Sequence, residues 1–382
     1  MALGRIAILA EQLDQALTAV NQALELEADL PEALILKAQL LVRLDRKEEA
    51  TQVLKQGVAV QPDDASLHFA YGRMLLDAEQ LEAARKQFAE VVRLEPDNPD
   101  GLYSLALLEL ETGKYKAGEE HLKQLLEQGE RQQSAYYYLG YANYEQGDID
   151  AALKWYAMVE SGDYWGQAQL RTAVILVKQE RVDDMHDYMR VMRQKNPDRI
   201  AQLYLVEGQA LSSAGLNAEA YEVYGSALEA SPDNEDLLYA RSLVAEELGF
   251  LDVAESDMRR ILANDPDNVR TLNALGYTLA DHTDRYQEAL GYISKAYEQS
   301  PDDPAIIDSM GWVHFRMGKL DMARLYLQQA WDMTQDSEIG AHLGEVMWVQ
   351  GDHDAARQIW KVSLETTPDN PVLIEVLDRI NP

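Results

Sequence analysis

A small residue recurs about every 34 positions along almost the whole chain. The rungs are Ala38, Gly72, Ala106, Gly140, Ala173, Gly208, Ser242, Gly276, Gly311 and Gly344. Twelve or thirteen residues after each comes a second series: Ala50, Ala84, Gly118, Ala152, Met185, Ala220, Ala254, Ala289, Ala323 and Ala356. A large apolar residue follows four later, at Leu54, Phe88, Leu122, Tyr156, Met189, Tyr224, Met258, Ile293, Leu327 and Trp360. A period of this length marks a stack of like units, each burying its apolar face on the next. The two or three domains that 382 residues would otherwise suggest are therefore not expected.

Each unit reads as two amphipathic helices, because apolar residues fall at helical spacing on either side of the small one. Only Gly, Ala or Ser at that rung lets the two helices approach closely. Gly113, Gly147, Gly215, Gly249, Gly318 and Gly351 sit seven past the first rung, where a helix ends through a left-handed residue. Pro62, Pro96, Pro197, Pro232, Pro266, Pro301 and Pro368, each followed by Asp, punctuate the joints. Proline suits a first helical turn and aspartate its positive dipole end.

The period resembles the tetratricopeptide repeat, and Tyr136-x-x-Leu139-Gly140-x-x-Asn143…Ala152…Tyr156…Val159 follows that pattern. The resemblance implies an all-α superhelical solenoid of about ten helix-turn-helix repeats over residues 30–368. A partial repeat (1–29) would precede them, and a capping helix (369–382, with its helix from Pro371 to Ile380) would follow. Projected back one period, the frame lands on Gly4 and Ala16, so the chain is expected to be a fragment opening inside a first helix. Two places depart from the frame. Residues 157–200 carry Met185 in place of an alanine and the disturbing Ser161-Gly162-Asp163, which reads as a drifted repeat or, alternatively, as a hinge or local contact site. Asp281-His282-Thr283-Asp284-Arg285 has one extra residue and no turn glycine, so a longer loop is expected there.

Charge narrows the partners. Asp and Glu number 66 against 34 Lys and Arg, a formal net of −32. A nucleic-acid binder needs a cationic surface, and an anionic membrane surface would repel this chain. No cysteine is present, which removes disulfides, thiolate metal sites and cysteine nucleophiles. HExxH, GxSxG, GxxxxGK and GxGxxG are absent, and the seven histidines are scattered without an i, i+4 pair. Catalytic residues, metal ligands and cofactors are therefore not expected.

Aromatics point instead to binding. In a tetratricopeptide superhelix the first helix of each hairpin lines the concave groove. By that resemblance the groove positions of the Gly140 repeat are Tyr137, Tyr141 and Tyr144, and the C-terminal repeats add Tyr277, Trp312, Phe315 and Trp348. As a set facing one groove they would bind a peptide, although individual members could fill space between repeats. The positions where carboxylate-gripping relatives carry Lys and Asn read here as a mainly apolar set, among them Phe69/Arg73, Tyr103/Leu107 and Asp308/Trp312, so that type of clamp is not expected.

The segments Leu272-Asn273-Ala274-Leu275-Gly276-Tyr277-Thr278-Leu279-Ala280-Asp281 and Asp302-Asp303-Pro304-Ala305-Ile306-Ile307-Asp308-Ser309-Met310-Gly311-Trp312-Val313 are more specific. They resemble a family of Gram-negative outer-membrane tetratricopeptide lipoproteins that partner a periplasmic carboxyl-terminal-processing serine protease. The resemblance implies a non-catalytic adaptor on the periplasmic face of the outer membrane. It would bind and activate the protease and bring it substrates such as peptidoglycan cross-link hydrolases. The lipid-bearing cysteine and signal sequence of such lipoproteins are not in this chain. A scaffold of an envelope export complex, or an enzyme whose catalytic part lies upstream, would share the same repeat register.

Overall fold

The computed structural model describes residues 13–380, so the Gly4 rung lies outside the described residues. The chain divides into two compact units, residues 1–175 and 176–382. The first contains α1 (Leu13–Leu26), α2 (Pro31–Arg43), α3 (Lys47–Val60), α4 (Ala65–Asp77), α5 (Leu81–Leu94), α6 (Pro99–Glu111), α7 (Tyr115–Glu127), α8 (Gln132–Glu145) and α9 (Ile149–Ala157). The division falls within α10 (Trp165–Lys178). The second unit holds α11 (Val182–Lys195), α12 (Ile200–Ser212), α13 (Asn217–Ala230), α14 (Glu235–Glu247), α15 (Leu251–Asn264) and α16 (Val269–His282). It ends with α17 (Tyr286–Gln299), α18 (Pro304–Arg316), α19 (Leu320–Thr334), α20 (Ser337–Val349), α21 (His353–Thr366) and α22 (Pro371–Ile380). The described residues form no strand, and none of their helices is long and apolar enough to cross a membrane.

The rungs behave as steric keys. All ten residues of the second series and all ten of the third are buried. A Cβ added to Gly140 would lie 2.6 Å from the Tyr156 ring, one on Gly208 2.3 Å from Tyr224, and one on Gly344 2.2 Å from Trp360. Those distances are below contact, so the small residue is what lets the second helix of each hairpin seat its largest side chain. Ala16 on α1 is buried at the same register, in a core cluster with Ala38, Ala50 and Leu54.

Six glycines at the end of first helices adopt φ between 73° and 88°, as the spacing predicts. At the equivalent positions of other repeats, Asp45, Glu79 and Glu180 take the same left-handed conformation with φ of 59°, 57° and 59°. In the Gly276 repeat the α16 end instead leaves Thr283 extended, which makes the longer loop.

The Pro-Asp joints sit one step earlier than expected. The pair occupies the middle of a tight turn, closed for example by Asn98 N–H to the Glu95 carbonyl at 3.0 Å and Asn234 N–H to the Ser231 carbonyl at 3.1 Å. Proline pre-sets that turn's first central residue. The helix itself is capped two residues after proline, by Asp64, Asn98, Asn234, Asn268 and Asp303, whose side chains accept from first-turn amides.

At the C-terminal end α22 buries Leu373 and Val376 against the last hairpin. Arg379 on α22 forms a two-pronged pair with the buried Glu345 of α20, at 2.7 and 2.8 Å.

Candidate partner-binding surfaces

In the first unit, α6 and α8 bring tyrosines together. Tyr137 stacks on Tyr164 with ring centres 4.8 Å apart, and Tyr138 meets the same ring edge-on at 5.3 Å. The Tyr164 hydroxyl lies 3.0 Å from that of Tyr138 and 3.4 Å from that of Tyr103. Burial, then the hydrogen bond to Tyr164, pushes the Tyr103 hydroxyl up to about 12, and the same two causes raise Tyr138. These hydroxyls stay protonated, and either partner of each pair can donate. Tyr164 belongs to the irregular segment after the short α9, so the departure around Ser161 delivers a ring onto this surface. Tyr137 is consequently buried, at 8% exposure, where an exposed groove aromatic was expected. Tyr141 and Tyr144 remain half-buried, and Tyr141 meets Tyr115 of α7 edge-on at 6.3 Å.

Between α2, α4 and the start of α6 lies a cleft of about 740 Å³. Ile35, Val42, Phe69 and Met74 give it an apolar lining, and Arg43 and Arg73 project charge at its edge. Sequence reasoning set Phe69 and Arg73 at groove positions but assigned them no role.

In the second unit a polar network occupies the corresponding side of α16, α18 and α20. The His342 Nδ1 lies 3.0 Å from both carboxylate oxygens of Asp308, and its Nε2 is 3.4 Å from the Tyr277 hydroxyl. Trp312 stacks on the imidazole at 4.2 Å and donates its Nε1–H to Asp281 at 3.0 Å. Arg316 also donates to Asp281, at 3.0 Å. Burial disfavours the charged imidazole, but Asp308, Glu338 and Asp281 outweigh it and hold His342 above its ordinary value. Burial, joined by the charges of Glu338, Asp308 and Asp281, raises Tyr277.

Of the residues expected here, Tyr277, Trp312 and Phe315 come together, with Phe315 5.2 Å from Trp312. Trp312 is only 6% exposed, because the neighbouring repeats supply Asp281 and His342 to seal it; the expectation of an exposed ring fails there. Trp348 stands apart, stacked on His353 of its own hairpin at 4.0 Å. His342 is the member that sequence missed, since its partner Asp308 lies 34 residues away. A Tyr–His–Asp line could relay a proton, but this one is sealed and its hydroxyl is harder to ionise than an ordinary tyrosine. The described residues contain no cluster of three His, Asp or Glu placed to hold a metal.

Family models described as tetratricopeptide repeat match residues 7–73, 103–168, 239–304 and 339–361. The chain is a tetratricopeptide-repeat protein. The TPR repeat-containing protein PA4667 of Pseudomonas aeruginosa is 41% identical over 312 residues, 82% of this chain and 53% of that protein. The chain thus spans about half the length of that relative. The type IV pilus assembly protein PilF of the same organism is 23% identical over 169 residues, 44% of this chain and 67% of PilF. A tetratricopeptide repeat protein from Parabacteroides merdae superposes with a TM-score of 0.50 at 15% identity, over 65% of this chain and 98% of that one. That likeness concerns the fold. As a tetratricopeptide-repeat protein, the chain presents protein-binding surfaces on a helical scaffold.

Proposed function

We propose that this tetratricopeptide-repeat protein is a non-catalytic adaptor of a periplasmic carboxyl-terminal-processing protease. It binds and activates the protease and delivers protein substrates such as peptidoglycan cross-link hydrolases. In this reading it acts at the outer membrane, as part of a lipoprotein. The partner class rests on the resemblance of residues 272–281 and 302–313 to the protease-binding lipoproteins. The adaptor role is supported chiefly by the first helices, which leave Tyr141, Tyr144 and Phe315 half-buried rather than sealed in the core. Half-buried aromatics gain large contact area at low entropic cost.

Holding substrate and enzyme on one scaffold raises their effective concentration without new chemistry. The test mixes purified protein, candidate protease and a hydrolase substrate. Co-elution on size exclusion and faster cleavage are expected. Absence of both sinks the reading, and recovery of a transport complex without protease from envelope extract would favour the export scaffold.

A further inference from the structure

Two arginines stand apart from the others. Arg43 lies in the last turn of α2 and Arg73 in the middle of α4, both exposed. Every other described arginine has a carboxylate partner or, for Arg171, the Tyr137 hydroxyl. With 66 acidic residues against 34 basic ones, a carboxylate is easily found for any guanidinium. The two that lack one line the same cleft.

The acidic residues in that cleft do not fill the gap. Glu95 accepts from the Asn98 amide at 2.7 Å, and Asp100 is paired with Arg131 of α8. Asp77 is one turn beyond Arg73, but an arginine preceding an aspartate by four is the weaker order on a helix, and no ion pair forms. The same cleft is lined by Ile35, Val42, Phe69 and Met74, and the Phe69 ring is held by an edge-on contact with Phe88 at 5.5 Å.

We infer that this cleft binds an acidic–apolar segment of a partner protein. Carboxylate side chains pair with Arg43 and Arg73, and an apolar side chain between them covers Phe69. A guanidinium fork matches a carboxylate in two-pronged geometry, which gives orientation as well as attraction. The formal charge of −32 repels acidic chains at long range, so only a segment that reaches both guanidiniums is retained. Nothing in this inference requires the partner to be a protease.

Fluorescence anisotropy tests it with a labelled, acetylated and amidated nonapeptide of alternating glutamate and leucine. A charge-assisted pair is worth about tenfold or more in affinity. The peptide is expected to bind wild type, and its glutamine-for-glutamate version to bind at least about tenfold more weakly. In Arg43→Gln/Arg73→Gln both peptides should bind equally weakly, while Arg43→Lys/Arg73→Lys should retain part of the discrimination. Both side chains are exposed and unpaired, so the melting temperature should not move. Equal binding of the two peptides to wild type would overturn the inference. So would unchanged discrimination in the glutamine variant, or binding only by a version with a free terminal carboxylate.

Discussion

At the scale of the residue, the turn closing each first helix separates two kinds of repeat. Where glycine stands, the left-handed conformation is free of strain. Asp45, Glu79 and Glu180 adopt it with a Cβ, at a cost of about 1–2 kcal/mol each. Glycine returns part of that through unfolded-chain entropy. Glu180→Gly is therefore expected to stabilise by roughly 0.5–1 kcal/mol, read as a higher urea midpoint at unchanged slope. A lower midpoint would place an interaction of the Glu180 side chain above the backbone term. The His342–Asp308 pair makes a separate prediction. A histidine whose folded value is raised contributes stability that is fully present below about pH 6.5 and fades as pH rises through the folded value. The half-buried Glu338 and Glu246, raised chiefly by desolvation, lose stability in the same direction but from about pH 4.3 upward. Asp308→Asn keeps an acceptor and removes the charge. It should flatten the decline in urea midpoint above pH 6.5 while leaving the lower window in place; an unchanged profile would remove His342 as its source.

At the scale of the element, the helical hairpins were legible because their cause is local and repeated. Gly208 is small since Tyr224 must fit against it, and that requirement returns every 34 residues or so. Exposure within the groove was not legible. Tyr137 is covered by Tyr164 from an irregular segment, and Trp312 by His342 and Asp281 from adjacent repeats, so each depends on residues 25 or more positions away. Ion pairing has the same long reach, which is why Arg43 and Arg73 looked no different from paired arginines such as Arg131. The last helix shows the matching energetic logic. Glu345 is buried with its charge, and α22 supplies the guanidinium that satisfies it. Removing one partner of such a pair leaves the other desolvated, at about 1–3 kcal/mol when the arginine is half exposed. Arg379→Ala is expected to lower thermal stability by that amount, and Glu345→Gln in the same background should recover part of it. No recovery would mean that Arg379 acts through packing alone.

At the scale of the molecule, a chain built from nearest-neighbour hairpins offers several short surfaces along its length. The tyrosine surface of α6 and α8 and the arginine-edged cleft of α2 and α4 meet at α6, whereas the aromatic cluster of α16 and α18 involves other repeats. Separate surfaces allow two partners to be held at once, and this distinguishes bridging from activation by contact. A bridge works only while both partners occupy the same adaptor molecule. As adaptor exceeds both, protease and substrate are captured on different copies, and the advantage of effective concentration disappears. Cleavage rate is therefore expected to rise and then fall as this protein is titrated into fixed protease and hydrolase. Activation of the protease alone would instead give a plateau, because further adaptor changes nothing once every protease is occupied. The titration reads out the rate of substrate loss at substrate concentrations well below saturation. A plateau there would remove delivery from the proposed function and leave activation; a flat line would remove both.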